Sequence, residues 1–226
     1  MIDNKLVIFK RILEEIRGRK ERDKPFVIGI TGIDTSGKTR FAELFETFLL
    51  SAGLKTQLIK LDDFHNPKKI RYSGDDQADN YYHKSFDLKT ITEKLLKPVK
   101  QKNSYSVKLV LLDLLTDKYE VEKTYSFDKD TIIIFEGVFL FKAELSPYID
   151  FKIFLDVPFE EVKKRAKERD VPIYGEGVLI KYDSKYLPAQ RRYLNEFPPE
   201  RTADLIIDNL DWEHPKIRFI KSYKNR

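Results

Sequence analysis

The most constraining feature of this sequence is the octapeptide Gly-Ile-Asp-Thr-Ser-Gly-Lys-Thr at residues 32–39, which fits the pattern G-x-x-x-x-G-K-[ST] in full. An apolar, partly β-branched run at 26–31 precedes it and predicts a short buried strand. After it, apolar residues recur at spacings of three and four up to residue 49, which predicts an amphipathic helix. The chain must therefore hold a glycine-flanked loop between a buried strand and a helix.

Such a loop is suited to phosphate. Its glycines let backbone N–H groups curl around phosphate oxygens, and the following helix N-terminus adds partial positive charge. Lys38 is predicted to reach the β- and γ-phosphates of a nucleotide, and the Thr39 hydroxyl to ligate Mg²⁺. We therefore expect ATP and Mg²⁺ as cofactors. The predicted nucleotide-binding residues of the loop are Gly32, Asp34, Thr35, Ser36, Gly37, Lys38 and Thr39.

The rest of the chain alternates predicted strands with predicted helices, which favours an α/β fold with a central, mainly parallel sheet flanked by helices. We interpret residues 1–226 as a single domain. Within it, 1–24 contains an N-terminal helix, approximately 158–200 forms a lid-like region, and 214–226 is a basic tail. Strands are predicted at 57–61, 131–135, 151–155 and 204–207, helices at 5–17, 86–99 and 160–169, and two strands around a turn at 106–112 and 119–125.

Composition excludes several classes of protein. The chain has no cysteine and three histidines, which excludes disulfides, thiolate zinc sites and cysteine nucleophiles. No signal-peptide pattern or transmembrane-length apolar run is present, so a cytoplasmic protein without a membrane partner is expected. Although the net charge is +5, the segment 214–226 holds five basic residues and no acid, leaving 37 basic residues against 37 acids. We therefore expect no nucleic-acid partner, and the tail is predicted to be a basic helix or a frayed end.

Carboxylates follow two further predicted strands. Glu136 comes directly after the apolar run 131–135 and is a candidate magnesium ligand. Asp156 also ends a strand, but it is favoured as a cap for the helix that follows Pro158. Asp62 and Asp63 follow the strand after the loop helix, and strand ends converge where ligands bind in open α/β sheets. Either carboxylate could accept the proton of an attacking hydroxyl or help to hold the metal.

Four segments together resemble the uridine kinase family of P-loop kinases, which is related to phosphoribulokinase and pantothenate kinase. The resemblance covers residues 25–209 and includes the loop at 32–39. Asp62-Asp63-Phe64-His65 resembles that family's Asp-Ser-Phe-Tyr, and Phe135-Glu136-Gly137-Val138 resembles its Phe-Glu-Gly-Ile. Ala203-Asp204-Leu205-Ile206-Ile207 resembles its Ala-Asp-Val-Ile-Ile.

The resemblance implies a P-loop NTPase of the nucleotide kinase type with a small lid. It matches Asp62 to the family's catalytic aspartate, with a further metal role, and Lys38, Thr39 and Glu136 to its phosphate and magnesium residues. The segment 165–170 is similar to the arginine pattern that opens the family's lid. By this match Arg169 is a catalytic residue and Arg165 binds the nucleotide, with their guanidinium groups against the transferring phosphate.

The sequence departs from the family where the nucleoside is read. His65 stands in place of the tyrosine of Asp-Ser-Phe-Tyr, and Leu112 and Asp117 stand in place of an aromatic residue and a histidine that contact the base. The segment 80–87 replaces one whose aspartate binds ribose hydroxyls. Because a site built to hydrogen-bond its substrate depends on those partners, the resemblance supports a kinase more strongly than it supports uridine as the acceptor.

The leading hypothesis is an ATP-dependent small-molecule kinase that transfers the γ-phosphoryl group to a hydroxyl of a nucleoside or similar alcohol. The alternative is a nucleotide-binding regulatory or degenerate P-loop protein without phosphotransfer. The aromatic-rich region 174–197 is interpreted either as lid and substrate wall or as packing. The acceptor and a homo-oligomeric state are left open.

Overall fold

A six-stranded sheet forms the centre of the protein, in the strand order β2-β5-β1-β6-β7-β8. The computed structural model describes residues 4–21 and 23–221. Every pair in this sheet is parallel except β7–β8, and β3–β4 form a separate antiparallel hairpin. The strands are β1 Phe26–Gly32, β2 Thr56–Lys60, β3 Ser104–Asp113, β4 Lys118–Asp128, β5 Ile132–Glu136, β6 Phe151–Asp156, β7 Leu205–Asp208 and β8 Lys216–Ile220.

Helices cover both faces of the sheet, and shorter π-helical and 3₁₀ segments occur among them. Two π-helical segments, Thr92–Leu96 and Tyr182–Tyr186, interrupt longer helical stretches, and 3₁₀ turns occur at Leu61–Phe64 and Ser146–Tyr148. The α-helices are α1 Asn4–Arg19, α2 Lys38–Ser51, α3 Lys68–Arg71, α4 Gln77–Lys84, α5 Leu88–Ile91, α6 Lys97–Gln101, α7 Phe159–Arg169, α8 Val171–Tyr174, α9 Gly177–Lys181, α10 Leu187–Glu196 and α11 Pro199–Thr202.

Alternate residues of the central strands enter two cores, one on each face of the sheet. On one face, Ile28 packs with α1 and α2, where the Phe9 ring lies 5.3 Å from the Phe45 ring. On the other face, Val27 joins a core that contains Phe139 and Tyr193. Because β1 and β5 are buried along their whole length, they carry the continuous apolar runs typical of parallel strands.

The structure confirms the α/β class, the mainly parallel sheet and the helices flanking it. Two local predictions are wrong. The tail was predicted to be a helix or frayed end, but Lys216–Ile220 pairs with β7 as an antiparallel edge strand, while 222–226 lie outside the described residues. The N-cap residue of α7 is Pro158, whose side chain makes no capping hydrogen bond. The Asp156 carboxylate pairs instead with Arg218 of β8. None of the described helices is long and apolar enough to cross a membrane.

Candidate active site

A cleft of about 1090 Å³ opens at the carboxyl ends of the parallel strands, between the loop after β1 and the helices that follow β6. The sheet register produces this convergence, because Glu136 at the end of β5 lies beside both Ile30 of β1 and Lys60 of β2. Most of the residues predicted from the sequence meet here. Those that line the cleft are Asp34, Thr35, Gly37, Lys38, Thr39, Asp62, Arg165 and Arg169.

The phosphate-binding loop is tightly curled and requires its glycines. Gly37 has φ 90°, in the left-handed region that glycine adopts without strain. A Cβ on Gly32 would lie 2.5 Å from the Leu155 carbonyl oxygen and 2.6 Å from the Ser36 hydroxyl oxygen. The buried Ser36 hydroxyl has no hydrogen-bond partner within the described parts of the chain. Lys38 Nζ donates to the Ile33 carbonyl at 2.9 Å, which holds the ammonium over the loop.

Two side chains from distant elements fasten this loop. Arg165 on α7 donates to the carbonyl oxygens of Thr35 at 3.0 Å, Asn209 at 3.0 Å and Leu210 at 2.7 Å. Asn209, just after β7, donates its side-chain amide to the Ser36 carbonyl at 2.7 Å. These bonds tie the loop to the end of the sheet, so Arg165 acts on the loop backbone as well as lining the cleft.

Thr39 and Glu136 form the predicted magnesium pair. The Thr39 hydroxyl donates to Glu136 Oε1 at 3.0 Å, and Glu136 is buried. Burial raises the pKa of Glu136, and the nearby Lys38 ammonium opposes part of that rise. The described residues contain no cluster of three or more histidine, cysteine or carboxylate side chains suited to a metal. A hydroxyl and a buried carboxylate are oxygen donors of the kind that suits Mg²⁺, which is commonly held by one or two carboxylates together with substrate phosphates and water.

The two adjacent aspartates after β2 face different surroundings. They lie in the 3₁₀ turn Leu61–Phe64, and Asp62 lines the cleft. Asp63 is directed to the β3–β4 hairpin, where its carboxylate lies 2.7 Å from Lys123 Nζ and accepts a long 3.5 Å bond from the Tyr125 hydroxyl. The cleft geometry therefore favours Asp62 as the carboxylate available to a substrate.

Asp34 is another carboxylate that lines the cleft. Its backbone N–H donates to Gln190 Oε1 at 2.9 Å, and its Oδ1 accepts a bond from the Tyr81 hydroxyl at 3.4 Å. Burial raises the pKa of Asp34; Lys38 lowers it and Asp62 raises it further. Asp34 is thus a buried carboxylate of the phosphate-binding loop itself, within electrostatic reach of both Lys38 and Asp62.

Arg169 lies one helical turn beyond Arg165 and is held by its neighbour. Its Nε and Nη2 donate to the two carboxylate oxygens of Asp170 at 2.6 and 3.0 Å. The Tyr182 hydroxyl also donates to Asp170, at 2.6 Å. Arg169 is 60% exposed and lines the cleft, so its guanidinium is oriented but still accessible. Contact between Arg169 and a phosphate stays a prediction.

The structure also identifies cleft residues that the sequence analysis missed. Trp212 and Leu210 follow β7, and the Arg40 guanidinium lies 3.3 Å from the Trp212 ring centre. Asn209 belongs with them because it buttresses the loop. The sequence signal that could have indicated these residues is their position, because they follow a strand whose carboxyl end lies at the same sheet edge as that of β1.

The positions that depart from the nucleoside-reading pattern divide in two. His65 lines the cleft, with Nδ1 2.7 Å from the Asp62 carbonyl oxygen, and burial lowers the pKa of His65. Leu112 is buried on β3, while Asp117 accepts the Lys68 backbone N–H at 3.0 Å and lies 3.4 Å from Arg71 Nη2. Of these three positions, only His65 lines the cleft.

The aromatic region 174–197 divides between the cleft lining and the core, and its role as a lid or substrate wall stays a prediction. Tyr174, Tyr182 and Tyr186 line the cleft. Tyr193 instead packs in the core, where its hydroxyl accepts the Phe141 backbone N–H at 3.0 Å.

A phosphate-binding loop between the central strand and α2, with carboxylates after the neighbouring strands, defines a P-loop kinase of the nucleotide kinase type. The sequence model of the phosphoribulokinase / uridine kinase family matches residues 27–211, and the chain belongs to this family.

Individual relatives agree with that membership. Uridine-cytidine kinase B of Dictyostelium discoideum is 28% identical over 188 residues, covering 81% of this chain and 74% of the relative. Uridine kinase of Lactiplantibacillus plantarum is 27% identical over 191 residues, covering 81% and 87%. A solved structure described as a possible uridine kinase from Bacillus stearothermophilus superposes with a TM-score of 0.71 at 25% identity, covering 90% of this chain and 97% of that one. The protein is a phosphotransferase with an alcohol group as acceptor.

Proposed function

We propose that the protein transfers the γ-phosphoryl group of ATP to a hydroxyl of a nucleoside or similar small alcohol, in a reaction that uses Mg²⁺. The observation that carries this proposal is the presence of Lys38, Asp62 and the Thr39–Glu136 pair around one cleft. A nucleotide-binding module needs the first and the last of these, but it has no need of a carboxylate placed to receive a proton.

The phosphate end of the cleft holds and neutralises the donor. Loop N–H groups and Lys38 bind its phosphate oxygens, and Thr39 with Glu136 would hold Mg²⁺. The metal would neutralise charge on the phosphate oxygens as it develops. Arg40 in the first turn of α2 and Trp212 after β7 line the same cleft and would receive the nucleobase.

Asp62 is the proton acceptor. As the acceptor oxygen forms its bond to the γ-phosphorus, the bond from that phosphorus to the leaving ADP oxygen breaks, and the hydroxyl proton passes to Asp62. Arg169 supplies positive charge to the transferring phosphoryl group from the lid side. Most of the rate enhancement comes from positioning and electrostatics, because phosphoryl transfer requires little covalent chemistry from the protein.

A phosphotransfer screen with ATP and Mg²⁺ tests this function, using nucleosides, pantothenate-like alcohols and sugar phosphates as acceptors. Binding is measured separately through Trp212, the single tryptophan of the chain, which lines the cleft. Nucleotide binding with transfer to at least one acceptor supports the proposal.

The second candidate is a nucleotide-binding regulator, and the altered nucleoside-reading positions favour it. A change in Trp212 fluorescence with ATP, but no transfer to any acceptor, would support that candidate instead.

A further inference from the structure

Two largely buried basic side chains lie behind the part of the cleft wall that His65, Tyr81 and Tyr186 form. Arg71 ends α3, and its side chain is 10% exposed. Its Nε has no hydrogen-bond partner within 4–21 and 23–221, and its Nη2 reaches Asp117 only at 3.4 Å. An unpaired guanidinium N–H in such a place costs free energy unless a ligand or water completes it.

Lys185 is the second of these side chains, and it is 7% exposed. Its Nζ lies 4.9, 5.4 and 5.1 Å from the ring centres of Tyr72, Tyr81 and Tyr186. Within the described ranges it forms no ion pair with a carboxylate. Burial lowers the pKa of Lys185; Tyr72 opposes that effect, and Arg71 adds to it.

Arg71 and Lys185 lie close to side chains that line the cleft. Tyr81 and Tyr186, whose rings flank Lys185, line the cleft together with His65. Arg71 and Lys185 both act electrostatically on His65, whose ring nitrogen is bonded to the Asp62 backbone. Lys185 also lies in the π-helical segment Tyr182–Tyr186, and such segments are frequent at functional sites.

Within the described structure, neither of the two cations is fully matched by an anion of its own. Asp117 contacts Arg71, but the described structure supplies no carboxylate partner for Lys185. Charge interactions are strong where water is excluded, so a negative group placed against His65, Tyr81 and Tyr186 would be stabilised from behind by both cations. Asp34 and Asp62 face the same wall from the cleft and offset part of this charge, but among the described residues neither forms an ion pair with Arg71 or Lys185.

We propose that the phosphoryl acceptor is an anionic alcohol, with a carboxylate or phosphate group lying against the wall formed by His65, Tyr81 and Tyr186 and its hydroxyl at Asp62. Arg71 and Lys185 provide the compensating positive charge. This inference rests on the proposed kinase function and specifies its acceptor class.

The competing interpretation is that Lys185 only packs among tyrosine rings. Lys142 provides a matched control, because it is also buried and lies 4.1 Å from the ring centre of Tyr82, which does not line the cleft, whereas Tyr81 and Tyr186 beside Lys185 do. Its Nζ donates to the Tyr82 carbonyl at 2.9 Å. Both Lys142→Met and Lys185→Met therefore remove a buried lysine that packs against a ring. Only Lys185→Met also removes a charge behind the cleft wall.

The test compares ATP-dependent phosphorylation of alcohols that differ in charge. Glycerol is compared with glycerate and glycerol 3-phosphate, ribose with ribose 5-phosphate, and uridine serves as the neutral nucleoside. In the unmodified protein, kcat/KM for an anionic compound is expected to exceed that of its neutral partner by about 10- to 100-fold, the range of charge-assisted hydrogen bonds. Lys185→Met and Arg71→Met should lower this ratio about 10-fold, mainly through KM, while Lys142→Met retains it and Lys185→Arg restores most of it.

Each outcome decides the proposal. A preference for neutral acceptors, or the same ratio in Lys185→Met and Lys142→Met, overturns it; a carboxylate or a phosphate preference in the glycerol series identifies the anion. If ATP binds but no compound is phosphorylated, the kinase function fails by itself. In that case the anion site is tested by Trp212 fluorescence and melting temperature with ADP plus glycerate or glycerol 3-phosphate. An effect present in the unmodified protein and lost in Lys185→Met keeps the site, and no effect removes it.

Discussion

The carboxylate of Asp63 lies 2.7 Å from the ammonium of Lys123 on β4, while its neighbour Asp62 lines the cleft. The 3₁₀ turn separates them, because successive residues in such a turn point about 120° apart. The hairpin therefore engages one aspartate of the pair in an ion pair and leaves the other facing the cleft.

Asp62→Asn is expected to lower kcat by about 10²- to 10⁴-fold, the range of general acid–base contributions. The amide cannot accept the proton of the acceptor hydroxyl, but its size and its place in the turn are kept. ATP binding, followed by Trp212 fluorescence, should change little by comparison. Steady-state phosphotransfer with the best acceptor gives the measurement.

Asp63→Asn is the matched control for that variant. It removes the ion pair with Lys123, whose side chain is 40% exposed. Such a partly exposed ion pair contributes on the order of 1 kcal/mol or less to stability. Its kcat should stay within a few-fold of the unmodified protein. A larger loss in Asp63→Asn than in Asp62→Asn would reverse the assignment of the two residues.

Glu136→Gln tests the proposed metal pair. Glutamine can still accept the bond that Thr39 donates, so the loop helix should keep its position while the negative charge is lost. The Mg²⁺ concentration that gives half-maximal activity is expected to rise about 10- to 100-fold. Titration of phosphotransfer with Mg²⁺ at fixed ATP measures this shift.

Glu168→Gln is a useful comparison for Glu136→Gln, because Glu168 also lines the cleft but follows no strand of the sheet. Its magnesium dependence should match that of the unmodified protein. Equal behaviour of the two variants would show that the charge of Glu136 has no special relation to the cation.

The phosphate-binding loop could be predicted because its signal is local. Gly32 and Gly37 are required by close contacts and by a positive φ within the loop itself. The strand before it was equally clear, since a parallel strand buried on both faces is apolar throughout. Family resemblance added Asp62, which spacing alone could not separate from Asp63.

The missed residues depend on tertiary contacts that leave no local pattern. Asn209 supports a loop 173 positions earlier in the chain, and Trp212 faces Arg40 only because β7 ends near the start of α2. The segment 216–220 alternates charged and apolar residues over only five positions, and its strand is mostly exposed in the structure. Pairing with β7 determines its conformation.

Asp34→Asn is expected to stabilise the free protein at neutral pH. Because burial raises the pKa of Asp34, the folded protein binds that proton more tightly than the unfolded chain does. Stability is therefore lost as pH rises from the unfolded value of about 4 through the folded value. Asparagine resembles the protonated carboxyl and avoids this loss, so its melting temperature should be higher by about 2–4 °C.

Measurements at low pH provide the control for Asp34→Asn. Below the unfolded pKa the aspartate is protonated in both states, and the melting temperatures of the two proteins should converge. A gap that persists at pH ~3, or its absence at neutral pH, would mean that ionisation of Asp34 does not limit the stability of the free protein.

Arg165 and Arg169 of α7 are expected to affect different steps when each is replaced by alanine. Arg165 donates to three backbone carbonyls around the phosphate-binding loop, so Arg165→Ala is expected to weaken ATP binding by about 10-fold or more and to lower the melting temperature. Among the described residues, Arg169 donates to Asp170 and not to a loop carbonyl. Arg169→Ala should therefore retain ATP affinity. Its kcat should fall by about 10³-fold, the lower end for an arginine that stabilises phosphoryl transfer.

Asp170→Asn separates position from charge at Arg169. The guanidinium remains, but it loses the carboxylate that orients it, while the Tyr182 hydroxyl keeps an acceptor. We expect kcat to fall less than in Arg169→Ala and ATP affinity to change little, because the loop contacts of Arg165 are intact. Equal losses of ATP affinity in Arg165→Ala and Arg169→Ala would show that both arginines act only by binding the nucleotide, and phosphotransfer measured at saturating ATP would then recover in both.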